Sequence, residues 1–197
     1  MNFPDKKYSI IYADPAWNYD IDKGNLQGST KNHYETMTIE EIKNLPVNEI
    51  ADDNCYLFLW TTSPTLKQAL EVIDAWGFTY KTVAFVWEKS NFNGMGLGHY
   101  TRTSTEFVLL GKKGTLKRKS AKVKQNYKSY SKHHSKKPNE IRNRIIQLLG
   151  DLAKIELFAR TKIHGWDVWG DDKNLQNKPL ECFTNSQSLI EKDLLLD

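Results

Sequence analysis

Cysteine is nearly absent from this chain. Cys55 and Cys182 are the only two among 197 residues, far apart and outside any C-x-x-C spacing. That excludes a disulfide framework and a cysteine-based zinc site, and it suits a reducing cytosol. Long apolar runs are missing too, since none approaches the ~20 residues a bilayer span requires. The opening Met-Asn-Phe-Pro-Asp-Lys-Lys leads into no apolar stretch of the kind a signal peptide carries. The expectation is a cytoplasmic protein without membrane contact. Histidine is sparse: His33, His99, His133, His134 and His164 show no metal-like pair spacing, so no metal is expected. No internal repeat is visible. A chain of this length is expected to form one domain that buries roughly 70% of its unfolded surface, without the help of staples.

One further absence is local. Between Lys112 and Lys137 there are eleven basic residues and no acidic one, whereas the remainder of the chain holds 17 basic against 24 acidic residues. An acidic body therefore carries one strongly basic segment, threaded with Tyr127, Tyr130, His133 and His134. Such a block reads as a polyanion footprint, with Lys117, Arg118, Lys119, Lys122 and Lys124 as its contacts. A solvated lysine-rich loop is the alternative. Residues 112–134 hold little to bury and repel one another, so this segment is expected to be mobile without substrate.

What is present is an alternation of apolar strands and amphipathic helices. Tyr8–Ala13 reads as a buried strand that stops at Asp14-Pro15. Thr38 with Glu41 forms a capping box before a short helix from Ile39 to Leu45. Cys55–Trp60 is a second strand. Ser63 and Pro64 open a helix that runs to Trp76 and stops at Gly77. Thr79–Trp87 and Thr105–Leu110 are strand candidates. Pro138 opens a helix closing at Gly150, with Ile141, Ile145, Ile146 and Leu149 on one face. Lys154–Phe158 and Asp167–Trp169 follow as strands. The pattern predicts an α/β domain with a mostly parallel sheet covered on both faces. Ligands then sit beyond the carboxyl ends of the strands, at Asp14, Trp60, Trp87 and Phe158. Gly94-x-Gly96-x-Gly98 does not lead from a strand into a helix, so it is no dinucleotide site; a loop beside the substrate fits better. The C-terminal residues 173–197 form a short tail, in which Ser188–Leu196 could make a helix docking on the body or on a second copy.

Chemistry enters at Asp14-Pro15-Ala16-Trp17. Asp-Pro after a strand is ordinary turn chemistry, but a turn does not call for an exposed tryptophan. A match to Asp-Pro-Pro/Ala-Trp arises by chance on the order of once per thousand such chains. With this motif come His33-Tyr34 and Met37, Leu57-Phe-Leu-Trp60, Gly96-Leu-Gly-His-Tyr-Thr-Arg102 with Glu106, His134-Ser-Lys-Lys-Pro138, Glu156-Leu-Phe-Ala-Arg160 and Gly165-Trp-Asp-Val-Trp-Gly170. In this order, over roughly Tyr8 to Asp172, the chain resembles the Asp-Pro-Pro-Trp class of adenine-N6 methyltransferases. That family is named after the seventy-kilodalton catalytic subunit of the eukaryotic mRNA enzyme, and the shorter bacterial and phage members are the most similar in extent.

The chemistry explains the residue types. The N6 amine of adenine is a poor nucleophile because its lone pair is delocalised into the ring. An Asp carboxylate and the following proline carbonyl can accept both amine hydrogens and aim the lone pair at a methyl donor. An aromatic ring stacked on the base fixes its plane, worth ~1–3 kcal/mol. A base in a duplex must first be flipped out. The resemblance implies Asp14, Pro15, Ala16 and Trp17 as catalytic loop, with Ala16 replacing the family's second proline. It implies S-adenosylmethionine as donor, Lys137 on its methionyl carboxylate with Ser135 nearby, Glu156 and Arg160 on the ribose, and Asp171 and Asp172 near the adenine or ribose. Asp14 also borders the donor. The expected substrate contacts are Trp17, Tyr19, His33, Tyr34 and Arg102, together with the five basic residues above. The catalytic motif precedes the donor motif, the permuted order of this family and its methyltransferase-type, Rossmann-like fold. DNA is the favoured substrate because small microbial relatives act mostly on it. RNA, a non-catalytic nucleic-acid-binding partner subunit and a cytosine-N4 enzyme are the rivals. Monomer and homodimer both stay open.

Overall fold

A computed structural model of the chain describes residues 3–18, 36–90, 100–130 and 136–170. The elements are β1 (Tyr8–Ala13), α1 (Ile39–Lys43), α2 (Val47–Ile50), β2 (Ala51–Thr61), α3 (Leu66–Ala75), β3 (Thr79–Lys89), β4 (Thr105–Lys113), β5 (Asn126–Ser129), α4 (Asn139–Leu149), β6 (Lys154–Leu157) and β7 (Asp167–Trp169). The seven strands form one sheet in the order β5-β3-β4-β2-β1-β6-β7. β1 pairs in parallel with β2 and β6, β6 with β7, and β3 with β5. Only β4 runs against its neighbours β2 and β3. This is a mixed, mostly parallel sheet of the α/β class that the alternating pattern predicted and of the Rossmann-like type that the family resemblance implied.

Both faces are apolar because both are covered. Along β2, Leu57 and Leu59 point to one face while Phe58 and Trp60 point to the other, the two-residue alternation of a strand. On the first face α1, α2 and α3 contribute Ile42, Val47, Ile50, Val72 and Ile73, and the Trp76 indole donates to the Ile42 carbonyl at 2.9 Å, tying α3 to α1. On the second face α4 lays Ile141, Ile145 and Leu149 over Ile10, Tyr12, Phe58 and Val108. Burial of a side chain of this size contributes roughly 1.5–3 kcal/mol.

Several boundaries differ from the sequence reading. α1 keeps its capping box, with Thr38 Oγ1 accepting from the Glu41 N–H and the Glu41 carboxylate accepting from the Thr38 N–H, but ends two residues early, at Lys43. α3 starts at Leu66 and not after Ser63, because Thr65 Oγ1 bonds back to the Thr62 N–H and to Thr61 Oγ1, making a turn of residues 62–65. α2 and β5 are elements the sequence reading did not assign. β5 lies inside the basic run, which is pinned at several points: Tyr56 donates to the Leu116 carbonyl, the Lys119 N–H to the Leu148 carbonyl, and Arg144 to the carbonyls of Lys124 and Asn126. Among the described residues no helix is long and apolar enough to cross a membrane.

Candidate active site

The parallel strands bring their carboxyl ends to one edge of the sheet. β1 delivers Asp14 there, β6 delivers Phe158, and β3 ends there with Trp87 and Lys89. β4, being antiparallel, brings its first residues to the same edge, and Glu106 pairs in register with Trp87. Lys137 arrives from the segment that opens α4. The turn after β6 is tight: Phe158 has φ of 61°, and a Cβ on Gly170 would stand 2.3 Å from the Ala159 carbonyl oxygen. Only glycine lets β7 end so close to that turn.

Four charged side chains of alternating sign meet at this edge. Lys137 Nζ lies 3.0 Å from Asp14 Oδ1 and 3.1 Å from Glu106 Oε2. The other Glu106 oxygen, Oε1, accepts from Lys89 Nζ. Beneath them stand two tryptophans packed edge to face with centroids 6.1 Å apart. Lys137 sits 5.2 Å over the Trp60 ring and Lys89 5.0 Å over the Trp87 ring, so aromatic faces as well as carboxylates favour both ammonium groups. Side-chain exposure is only 17% for Asp14 and 12% for Lys137 and Glu106. Burial pushes the Asp14 carboxyl above its ordinary range; Lys137 pulls it back, and the neighbouring Glu106 charge adds to the rise. Burial also works against an ionised Glu106, yet Lys137 and Lys89 together outweigh it and hold that carboxyl low. For Lys137, burial alone favours the neutral amine, but Asp14 and Glu106 overcome it and keep the ammonium protonated well past its usual range.

Trp17 is not the exposed platform that the sequence suggested. It is 7% exposed, packs in the core on the α1 and α3 side, and donates from Nε1 to the Trp60 carbonyl at 3.0 Å. Its own N–H closes onto the Pro15 carbonyl at 2.8 Å, and the Met37 N–H reaches the Ala16 carbonyl at 3.0 Å. The ring therefore nails the Asp14–Trp17 loop to β2. The loop turns the indole onto the apolar cluster that includes Ile42, Leu59 and Ala69, and burial there outweighs exposure to solvent.

Glu156 also takes a different place. Its Oε2 and Oε1 receive Arg142 Nε at 2.7 Å and Nη2 at 2.5 Å, and the residue is 7% exposed. Arg142 lies 5.2 Å over the Tyr12 ring, and the Tyr12 hydroxyl accepts from Trp60 Nε1 at 2.6 Å. Glu156 is thus a buried strut between β6 and α4, while Arg160 is exposed at the edge, near enough for its charge to act on Asp14.

Of the expected substrate residues, Arg102 is exposed just before β4, on the edge of Asp14. The basic residues divide. β4 carries the chain from Glu106 away to Lys113, seven residues or about 24 Å of extended strand, so Lys117, Arg118 and Lys119 stand at the opposite edge from Asp14. Lys122 and Lys124 lie on the way back along α4, and β5 returns the chain to the catalytic edge, where Tyr130 is exposed. Tyr19, His33, Tyr34, Ser135, Asp171, Asp172, the Gly94–Gly98 loop, His133, His134 and the tail 173–197 lie outside the described residues.

Two members of the charged chain escaped the sequence reading as site residues. Glu106 appeared there only as part of a motif, and Lys89 not at all. The available signal was a charged residue flanking the apolar stretches Val83–Trp87 and Phe107–Leu110 on the catalytic-edge side.

A protein-family model described as MT-A70 matches residues 8–172. The chain is 39% identical to the type II methyltransferase M.MunI of Mycoplasma sp, with 85% of this chain and 78% of that protein covered. It is 27% identical to the human N(6)-adenosine-methyltransferase catalytic subunit METTL3 over 78% of this chain, but spans only 26% of that protein. To the N6-adenosine-methyltransferase non-catalytic subunit MTB of Arabidopsis thaliana it is 32% identical, over 57% of this chain and 15% of the relative.

Proposed function

This chain belongs to the MT-A70 family, and on that premise we propose that it is an S-adenosylmethionine-dependent adenine-N6 methyltransferase acting on nucleic acid, with DNA as the substrate. The observation that carries the reading is Asp14: a largely buried carboxylate at the carboxyl end of β1, anchored by Trp17 and facing a buried ammonium. The charge set suits the donor, which has one carboxylate and two cationic centres. Lys137 complements the former; the Asp14 carboxylate complements the latter, while both Glu106 oxygens are engaged by Lys137 and Lys89. When bound, the donor supplies an electrophilic methyl group on a sulfonium.

The rest is done by the chain. Asp14 accepts one hydrogen of the adenine amine, and the Pro15 carbonyl, which has a second lone pair beside its bond to the Trp17 N–H, accepts the other. Held this way the nitrogen lone pair points at the donor side, and catalysis comes from alignment and proximity. Asp14 takes up the proton that the amine loses on methylation. Arg160 and Arg102 flank the edge as contacts for ribose and for substrate. DNA is favoured because similarity to the type II methyltransferase M.MunI runs over most of that protein, and to METTL3 over about a quarter.

The similarity to MTB makes a non-catalytic subunit the reading to beat. Nucleoside mass spectrometry of DNA and RNA incubated with protein and labelled donor decides. N6-methyladenine is expected in DNA, and Asp14→Ala is expected to remove it while the donor still binds by calorimetry. No product from either nucleic acid would leave the non-catalytic subunit standing. Product in RNA alone would overturn the substrate.

A further inference from the structure

Asp14 cannot do its work in the arrangement described above. Its Oδ1 is held by Lys137 at 3.0 Å, so an adenine amine offered to that oxygen competes with an ammonium. An amine hydrogen presented to a carboxylate already neutralised by a cation gains little, because the acceptor's charge is spent. Lys137 must therefore leave Asp14 before the base is accepted. What moves it, and where it goes, can be read from the neighbouring charges.

Lys137 has two carboxylate partners of unequal rigidity. Glu106 stands within β4, paired in register with Trp87 of β3, and Lys89 holds its other oxygen. Asp14 stands in the loop after β1, where Lys137 contacts its carboxylate and the charge of exposed Arg160 acts on it from the edge. A third carboxylate brought to Lys137 would displace the partner with less support, which is Asp14. The donor carries such a carboxylate. Resting on the function proposed above, we infer that Glu106 and Lys89 are positioning residues: they hold Lys137 as a latch on Asp14, the donor's carboxylate draws the latch away, and the adenine amine is accepted only afterwards. Glu106 is the pivot, and Lys89 keeps the pivot from yielding in place of Asp14. The latch gives the reaction an order in which the donor precedes the base, and it leaves Asp14 neutralised whenever no donor is present.

Linkage makes this measurable without turnover. If the donor side and the base compete through one ammonium, a donor-shaped ligand raises affinity for the base, and the base raises affinity for that ligand by the same factor. S-adenosylhomocysteine keeps the carboxylate; 5′-methylthioadenosine lacks it. Fluorescence anisotropy would follow a single-stranded oligodeoxynucleotide with one adenine, and its twin with an abasic site there, under saturation verified by calorimetry. S-adenosylhomocysteine is expected to tighten the adenine oligonucleotide by about five-fold or more, to leave the abasic twin unchanged, and to have no counterpart with 5′-methylthioadenosine. In Lys89→Met the tightening is expected to fall below about two-fold, with S-adenosylhomocysteine affinity kept within about three-fold, since Lys89 touches Glu106 and not the donor. Equal tightening by 5′-methylthioadenosine, or full coupling in Lys89→Met, overturns the latch. So does S-adenosylhomocysteine binding without tightening in a wild-type protein that methylates adenine, and that result leaves the proposed function intact. Neither ligand binding nor methylation in the wild type overturns both.

Discussion

Replacing Lys117, Arg118, Lys119, Lys122 and Lys124 together with alanine tests where the nucleic acid lies. These residues are exposed, and they trace a strip from the far edge of the sheet back along α4 toward Asp14. The strip gives the substrate a length. From Glu106 to Lys113 the strand covers about 24 Å, and a duplex rises about 3.4 Å per base pair, so the far lysines reach phosphates about seven base pairs from the target adenine. If all five neutralise phosphates, the slope of log affinity against log salt should become shallower by about 4.5 on duplex. The assay is fluorescence anisotropy across a potassium chloride series, with duplexes whose target adenine lies either centrally or close to one end. Wild-type protein on a duplex cut short on the strip side should behave like the five-fold variant on a full duplex. Donor affinity should be unchanged, because none of the five lies at the Asp14 edge. An unaltered slope together with no dependence on duplex length would refute the strip and leave substrate contacts to the edge residues around Arg102.

Other consequences follow from particular contacts. Trp17→Phe keeps the buried ring but loses the bond to the Trp60 carbonyl; it should cost about 1 kcal/mol of stability and slow methyl transfer with little change in oligonucleotide affinity. A loss of affinity as large as the loss of rate would instead restore Trp17 as a stacking platform. Arg142→Met strands the Glu156 carboxylate inside the fold and should cost about 3–5 kcal/mol in urea unfolding; a change under about 1 kcal/mol would show that the pair is not a strut. The charged chain also has a pH signature. Glu106 is held below its unfolded value of 4.5, so its contribution is present above that pH and lost as pH falls through the folded value. Lys137 is raised above 10.5, so its contribution is complete below that pH and lost as pH rises through the folded value. Buried Asp14 opposes both, since its raised pKa makes the ionised form a cost. The stability gap between wild type and Lys137→Ala should therefore be widest between about pH 4.5 and 10.5 and should narrow on the acid side; a gap independent of pH would assign it to packing.

Local chemistry made much of the fold legible. Tyr8–Ala13 is a short apolar run, while Lys154–Leu157 and Asp167–Trp169 mix charged with β-branched and aromatic residues; all three are strands within a residue of where they were expected. Thr38 and Glu41 cap a helix because the capping box is satisfied within four residues. β5 was not legible. Asn126–Ser129 is polar and forms a strand only because the β3 edge offers it a ladder, which is a property of a distant segment. α3 began late for a similar reason, since Thr61, Thr62 and Thr65 bond to one another across the strand end.

The sequence by itself determined the sheet class, the order of its motifs, the family and the position of Asp14 at a strand's carboxyl end, because each depends on residue type and spacing along the chain. Which charges share that edge was a matter for the tertiary structure. Lys89, Glu106 and Lys137 are separated by 17 and 31 positions in the chain and meet only because β4 runs antiparallel between β2 and β3 while α4 starts at the same edge. The same reversal sent Lys117–Lys119, read from the sequence as polyanion contacts, to the far edge, away from Asp14. The burial of Trp17 and Glu156 was likewise decided by the fold, because burial is set by what packs against a side chain. An aromatic beside an apolar cluster and a carboxylate opposite an arginine are drawn inward, whatever their neighbours in sequence suggest.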